Sequence, residues 1–181
     1  MNEKSTHHII NKPLSKETIP YIVGIGASAG GLEALEVFFN AVPDQSGLSF
    51  VVILHLSPDY KSLMPQLLAK HTNMQVHTIE SGIEVLPNNV YVIPPRKTLT
   101  VHKGALYLHD KIKNKIPTFP IDIFFRSMAT EQGERAIGVI LSGTGSDGTR
   151  GLRTIKEANG IVMIQQPESA KFDGMPRAAI S

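Results

Sequence analysis

A serine, a histidine and an aspartate in this sequence each follow an apolar segment, at positions where the three side chains could act together. Ser28 stands in the turn Gly-Ala-Ser-Ala-Gly of residues 26–30, His55 follows the apolar run 50–54, and Asp147 lies in the glycine-rich stretch 142–148. A hydroxyl is a weak nucleophile at neutral pH until an imidazole takes its proton and a carboxylate orients that imidazole. The three residue types therefore predict acyl-transfer chemistry through a serine nucleophile.

The turn around Ser28 is open to other interpretations. A dinucleotide-binding Gly-x-Gly-x-x-Gly pattern would need glycine at position 29, where the sequence has Ala29, and the turn lacks the Gly-Lys-Ser/Thr of a P-loop. The nucleophile-elbow pattern Gly-x-Ser-x-Gly is matched by residues 26–30. A tight turn with an incidental serine is the third interpretation of the same residues.

The elements that must position these side chains can be read from the apolar pattern. Residues 21–25 predict a buried strand, and apolar residues at helical spacing between 32 and 42 predict a helix that leads to a second strand at 50–54. This is a βαβ unit, in which parallel strands open onto one sheet edge where ligands bind. A third strand over 136–141 leads into the stretch 142–148. We therefore expect an α/β fold: a three-layer α/β/α sandwich with a doubly wound, mostly parallel, Rossmann-like sheet.

The remaining sequence predicts further elements around this centre. We expect a helix over 63–70, strands over 76–79, 90–93 and 161–164, a β-hairpin outside the main sheet from 99–101 and 105–108, a polar loop over 111–120, an amphipathic helix with core residues between 121 and 128, a helix that ends at 159–160, and a last helix that opens at 174.

Composition limits the classes of protein that fit. The chain has 181 residues, which indicates one domain. Its net charge of +2 argues against nucleic acid as a partner, and the absence of cysteine excludes disulfides and thiolate chemistry. No apolar run is long enough to span a membrane, and residues 1–20 lack the apolar core of a signal peptide. We expect a disordered leader or tether over 1–20, a cytoplasmic location and no cofactor. The pair at positions 7 and 8, two histidines, does not make a closed metal site.

Backbone amides of the two glycine-rich segments are candidates for an oxyanion hole, because developing negative charge is stabilised by fixed N–H donors. Ala29 and Thr144 lie where their N–H groups could take this role. Two aspartates compete for the third place of a triad. Asp59 is close to His55 in sequence, whereas Asp147 follows another buried strand; parallel strands would bring Asp147 to the edge of Ser28, and Asp59 would act as a helix-start residue.

Four ordered segments together resemble the catalytic domain of the bacterial chemotaxis receptor methylesterases. They are Gly-Ile-Gly-Ala-Ser-Ala-Gly-Gly at 24–31, Leu-His-Leu-Ser-Pro at 54–58, Leu-Ser-Gly-Thr-Gly-Ser-Asp-Gly at 141–148 and Gly-Met-Pro-Arg at 174–177. The resemblance covers about residues 21–181 and implies that these residues form one methylesterase catalytic domain. It implies an esterase that removes methyl groups from glutamates on chemoreceptor helices, with glutamine deamidation as a further activity.

The resemblance also implies roles for single residues. It makes Ser28 the nucleophile, His55 the base and Asp147 the third member of the triad, and Arg177 is a candidate substrate contact. The chain departs from many relatives at Thr144, where they have methionine, and it has no room for a receiver domain ahead of residue 21. We expect the domain to be truncated at its C-terminal end. The resemblance is especially close to members that are fused to a downstream receptor methyltransferase domain.

Two other classes of function are kept as alternatives. One is a degenerate domain that binds receptors without chemistry, against which the presence of all three triad residues argues. The other is a nucleotide-binding Rossmann-like module, which predicts an acidic ribose-binding residue at the end of the second strand. That strand is followed by His55, with Asp59 four residues further on, so this alternative fits poorly.

Overall fold

The computed structural model describes residues 20–55, 58–110 and 118–181, and the side chains of 58–62 lie outside that description. The predicted leader, except Pro20, and the histidines at 7 and 8 lie outside the described residues. So does most of the predicted polar loop over 111–120. The helices of the described residues are all too short or too polar to cross a lipid bilayer.

A six-stranded sheet forms the centre of the fold, and each neighbouring pair of its strands runs parallel. In chain order its strands are β1 (Ile22–Ala27), β2 (Ser49–Leu54), β3 (Gln75–Thr78), β5 (Asn89–Val92), β8 (Ala136–Ile140) and β9 (Ile161–Ile164). Their spatial order is β3-β5-β2-β1-β8-β9. β1 therefore lies between β2 and β8, and the carboxyl ends of all three strands open onto the same edge.

Helices cover both faces of this sheet, which confirms the three-layer α/β/α prediction. The helices are α1 (Gly31–Ala41), α2 (Pro58–Leu68), α3 (Pro120–Gln132), α4 (Thr149–Glu157) and α5 (Gly174–Ile180). One buried cluster joins the sheet to α1 and α2 through Leu35, Phe39 and Leu68. The other cluster joins it to α3, α4 and α5 through residues such as Phe124 and Ile155. The strands β1 and β2 are buried at every position, as expected for a sheet covered on both faces.

A small antiparallel sheet stands apart from the main one, which confirms the predicted hairpin excursion. It consists of β4 (Ile83–Glu84), β6 (Lys97–His102) and β7 (Ala105–Asp110), in the order β4-β7-β6. Leu99 and Leu106 pack into the same cluster as α3, and Val101 N donates a hydrogen bond to Ser127 Oγ at 3.2 Å. The hairpin is therefore attached to α3, the helix whose first turn reaches the candidate site.

The structure corrects some predicted boundaries and adds one element. The helix predicted over 63–70 runs over Pro58–Leu68, because a proline can occupy the first turn of a helix, where its missing N–H costs nothing. The two-residue strand β4 was not predicted, since two residues carry no periodicity. The predicted strand over 136–141 ends at Ile140, although Leu141 N still donates to Gly26 O at 3.0 Å.

Candidate active site

Ser28 lies in the turn between β1 and α1, and hydrogen bonds fix the backbone of this turn. Gly31 N donates to Ser28 O at 2.9 Å, and Ser28 N donates to Ser142 O at 3.0 Å. Gly30 adopts a left-handed conformation with φ 68°, and a Cβ at this position would lie 2.7 Å from Ser142 Oγ. Glycine is therefore required at position 30 for both conformation and space. The turn holds Ser28 at the carboxyl end of β1 with 8% of its surface exposed.

The structure brings Ser28 and His55 together at the ends of neighbouring strands. His55 N donates to Ala27 O at 3.0 Å, and Ser28 Oγ donates to the main-chain carbonyl of His55 at 3.3 Å. Base catalysis requires the Ser28 hydroxyl to turn from this carbonyl to the imidazole of the same residue. Catalytic hydrogen bonds are often loose in the absence of substrate and tighten when it binds.

The alternation of side chains along the strands indicates where Ser28 and His55 point. In β1 and β2, Ile22, Val51 and Ile53 face the cluster that contains α3, whereas their neighbours face α1 and α2. Side chains in a strand alternate between the two faces. Continuing that alternation past the last strand residues assigns both Ser28 and His55 to the face of α3.

Asp147 lies in the loop between β8 and α4, and its carboxylate reaches the first turn of α3. Its Oδ2 accepts a hydrogen bond from Ile121 N at 3.2 Å, and its Oδ1 accepts one from Asp122 N at 3.0 Å. The residue is 6% exposed. A carboxylate has about four acceptor sites, so these bonds leave capacity for an imidazole N–H.

The same surroundings raise the pKa of Asp147 from its usual value to about 6. The largest cause is burial, which disfavours the charged form. The N–H groups of Asp122, Ile121 and Gly148 lower the pKa, and the nearby charge of Asp122 raises it. Asp147 is therefore ionised at pH 7 and above, as a residue that stabilises an imidazolium must be.

Packing around Ile121 places the loop of Asp147 beside the end of β1. A Cβ on Gly26, two residues before Ser28, would lie 2.5 Å from Ile121 Cγ2, and a Cβ on Gly148, next to Asp147, would lie 2.8 Å from the same atom. The first turn of α3 thus touches both β1 and the loop that carries Asp147.

The backbone N–H groups of Ala29 and Thr144 are available for an oxyanion. Around them, Ser28 N donates to Ser142 O, and Gly143 N donates to Phe172 O at 2.9 Å. Within the described part of the chain, neither Ala29 N nor Thr144 N donates a hydrogen bond to the protein. Their two loops also meet, because a Cβ on Gly143 would lie 2.9 Å from Ser28 Cβ. The two residues therefore remain candidates for the oxyanion hole.

Ser142 connects the two glycine-rich segments, and sequence reasoning missed it. Its hydroxyl donates to Ala29 O at 2.8 Å and accepts from Phe172 N at 3.0 Å, and its own N–H donates to Gln165 Oε1 at 2.8 Å. The side chain is fully buried. A serine directly after a buried strand was the available signal, but a sequence does not show which carbonyl such a hydroxyl will meet.

Arg177 lies on α5, whose start is tied to the second glycine-rich segment. Met175 N donates to Gly143 O at 2.9 Å. The Arg177 side chain is 60% exposed, and its Nε donates to Asp173 Oδ2 at 2.6 Å. A substrate contact through Arg177 would have to share the guanidinium with Asp173.

A sequence model of the CheB methylesterase family matches residues 23–181. This chain belongs to that family. The match includes all the residues proposed above for the site, and it agrees with the parallel sheet and its polar carboxyl edge.

Known proteins resemble the chain in sequence and in structure. The crystal structure of the Thermotoga maritima CheB methylesterase catalytic domain has a TM-score of 0.78 and 30% identity, and the match covers 89% of this chain and 87% of that one. The protein-glutamate methylesterase/protein-glutamine glutaminase 1 of Carboxydothermus hydrogenoformans is 33% identical over 88% of this chain and 48% of its own length. An uncharacterised 104.1 kDa protein of Rhodobacter capsulatus is 47% identical over 65% of this chain, which spans only 12% of that relative.

Proposed function

We propose that this chain hydrolyses γ-methyl esters of glutamate on the cytoplasmic helices of chemoreceptors, and that it also deamidates receptor glutamines. The observation that carries the proposal is the hydrogen-bonded junction of Ser28 and His55 at the edge where the loop of Asp147 meets the end of β1. Family membership and the names of the relatives support the same activity.

In the first half of the reaction, Ser28 Oγ attacks the ester carbonyl carbon while neutral His55 takes the hydroxyl proton. The carbonyl oxygen becomes an oxyanion, which the N–H groups of Ala29 and Thr144 stabilise. Ionised Asp147 stabilises the imidazolium. The tetrahedral intermediate then collapses, and His55 returns its proton to the departing methoxide, so methanol leaves and a glutamyl ester of Ser28 remains.

In the second half, water attacks the glutamyl ester, and His55 again takes a proton and returns it to Ser28 Oγ. The products are a free glutamate carboxylate and the original serine. A glutamine substrate follows the same steps with ammonia as the leaving group. None of these steps needs a metal or an organic cofactor.

The setting of the activity follows from the same proposal. Methylated chemoreceptor helices are the substrate partner, and Arg177 at the start of α5 contacts them. We place the enzyme in the cytoplasm, where those helices lie, without insertion into the membrane. A receptor methyltransferase domain in the same full-length protein is also part of the proposal. In the Rhodobacter relative the matched segment is 12% of a 104.1 kDa chain, so a segment of this kind does occur within a longer protein.

The proposal predicts a loss of activity in acid. The reaction needs His55 neutral and Asp147 ionised; an imidazole has an ordinary pKa of about 6.5, and the pKa of Asp147 is about 6. We expect kcat to be constant above about pH 7.5 and to fall as the pH drops through about 6.5 and 6. Methanol release at saturating substrate, between pH 5 and 8.5, measures this profile. A constant rate over that whole range, with chemistry shown to limit turnover, would contradict the role of His55.

The activity itself is tested with a methylated chemoreceptor fragment. We expect stoichiometric methanol and free glutamate from the methylated sites, and ammonia from receptors that carry glutamine there. A thermal-shift assay with NAD and ATP tests the nucleotide-binding alternative, for which we expect no shift. Binding of the receptor fragment without methanol or ammonia would support the binding-only alternative instead.

A further inference from the structure

Two buried aspartates cap each other's helices at the edge of the candidate site. Asp147, in the loop before α4, accepts hydrogen bonds from Ile121 N and Asp122 N in the first turn of α3. Asp122, in that first turn of α3, accepts a hydrogen bond through Oδ1 from Gly151 N in the first turn of α4 at 2.7 Å. The Asp147 carboxylate therefore caps the start of α3, and the Asp122 carboxylate caps the start of α4.

The residues at the ordinary capping positions do not supply these bonds. Phe119 precedes α3 and Gly148 precedes α4, and neither makes a side-chain cap. A helix start without such a partner leaves unpaired N–H groups, which is costly when they are buried. The exchange between Asp122 and Asp147 therefore supplies the partners of Ile121 N, Asp122 N and Gly151 N, while Thr149 N at the start of α4 donates to Ser146 O at 3.2 Å.

The two helices also approach each other closely beside this exchange. A Cβ on Gly151 would lie 2.5 Å from Phe125 Cβ and 3.1 Å from Asp122 Cα, so α4 begins directly against α3. Asp122 is 5% exposed and belongs to no step of the reaction above. A buried carboxylate with no catalytic step, bonded to the helix that follows the Asp147 loop, needs an explanation of its own.

We infer that Asp122 is a positioning residue, which holds the Asp147 carboxylate in place for His55 by fixing the start of α4. This inference rests on the proposed function. The loop that carries Asp147 is anchored at β8 on one side and at α4 on the other. Without the bond to Asp122, the α4 start can move away from α3 and take Asp147 away from Ile121 and from the end of β1.

The charge of Asp122 has a second effect, which provides a way to measure the coupling. Besides Asp122, α3 carries Arg126 and Glu131, and His55 follows β2. The charged residues of α4 are Arg150, Arg153, Lys156 and Glu157. The nearby charge of Asp122 raises the pKa of Asp147. Removing that charge lowers the pKa of Asp147 and that of any imidazole beside it, because a neighbouring anion favours the protonated form of both.

Three variants separate positioning from simple support of the fold. Asp122→Ala removes both the cap and the charge. Asp122→Asn keeps an oxygen that can accept from Gly151 N and removes only the charge. Asp44→Ala is the matched control, because Asp44 also accepts a backbone N–H, from Asn73 at 3.0 Å, but lies in the turn before β2, at the opposite edge of the sheet.

We expect Asp122→Ala to lower kcat by about tenfold or more with KM changed less than about threefold, since a small displacement of a catalytic group affects the chemical step. Asp122→Asn should recover kcat at pH 8 to within about threefold, with the acid limb of its pH profile moved down by about half a unit. Asp44→Ala should keep the parent's kcat and pH profile. These constants are measured by methanol release, after urea unfolding has shown each variant to be folded.

A folded Asp122→Ala variant with the parent's kcat would overturn the inference, and so would an equal loss of kcat in Asp44→Ala. If Asp122→Ala does not fold, Asp122→Asn decides, because an unmoved acid limb contradicts the coupling. The pKa of Asp147, followed by carbon NMR of its carboxyl group in parent and Asp122→Asn, needs no substrate. If the pKa of Asp147 is lowered in Asp122→Asn but the parent has no methylesterase activity, the proposed function is wrong and the coupling of the two aspartates is still supported.

Discussion

Ser28→Ala is expected to abolish ester hydrolysis and leave the fold intact. Removing the nucleophile of a triad costs on the order of 10⁶ in kcat, which corresponds to about 8 kcal/mol of transition-state stabilisation. The remaining groups still bind substrate and still offer N–H donors to an oxyanion, so a small residual rate of water attack is expected. KM should change much less than kcat.

The fold should tolerate this change because the Ser28 hydroxyl contributes little to packing. Its hydrogen bond to the His55 carbonyl is long, at 3.3 Å, and a bond of this kind contributes about 1 kcal/mol or less to stability. The bonds that fix the turn use the backbone of Ser28, not its side chain. Alanine at position 28 keeps all of them.

Methanol release and urea unfolding measure the two halves of this prediction on the same preparations. Ser46→Ala is the matched control, because it also removes one serine hydroxyl. That hydroxyl accepts a hydrogen bond from Leu48 N at 3.3 Å, and Ser46 lies at the opposite edge of the sheet. Ser46→Ala should keep the parent's kcat. A folded Ser28→Ala protein with more than about a tenth of the parent's turnover would exclude the serine mechanism.

The sequence allowed the placement of Ser28 and His55 to be predicted because both follow strands that are buried on both faces. Such strands are continuous apolar runs, and their parallel pairing follows from the right-handed βαβ connection. The turn after β1 is equally local, since a left-handed residue is needed where the chain enters α1 and Gly30 supplies it. Local patterns of this kind predict the strand and the turn because they do not depend on how distant parts of the chain pack.

The exchange between Asp122 and Asp147 could not be predicted, because it joins residues that are 25 positions apart. Capping patterns in a sequence are sought within three residues of a helix start. Here α3 is capped by Asp147 from the loop before α4, and α4 is capped by Asp122 from α3. The same holds for Ser142, whose hydroxyl meets Ala29 across 113 positions. Contacts of this kind depend on how the layers pack, which no local pattern records.

Asp147→Asn is expected to lower kcat by at least ~10², whereas Asp59→Asn should stay within about threefold of the parent. An amide at position 147 cannot stabilise the imidazolium as a carboxylate does, and it favours the wrong imidazole tautomer. Asp59 is the second residue of α2, which agrees with its predicted place at a helix start. The topology supports this choice, because β8 is parallel to β1 and ends at the same edge.

The stability of the Asp147→Asn variant should depend on pH in a defined direction. The pKa of Asp147 is raised from 3.8 to about 6 in the fold, so its contribution to stability is fully present below pH 3.8 and is lost as the pH rises through 6. The parent should therefore lose about 3 kcal/mol relative to the variant between pH 4 and pH 8. The variant in turn loses one acceptor, since both Asp147 oxygens accept N–H groups, at a cost of about 1–3 kcal/mol.

The two effects are opposite in sign at pH 8, so Asp147→Asn should be folded where the enzyme is most active. The measurement is kcat of the parent, Asp147→Asn and Asp59→Asn on one methylated receptor preparation at pH 8, with urea unfolding at pH 4 and pH 8. If Asp59→Asn loses kcat and Asp147→Asn keeps it, Asp59 is the third member of the triad. That result would also remove the reason to place the oxyanion at Thr144, because that assignment depends on the loop after β8 closing over Ser28.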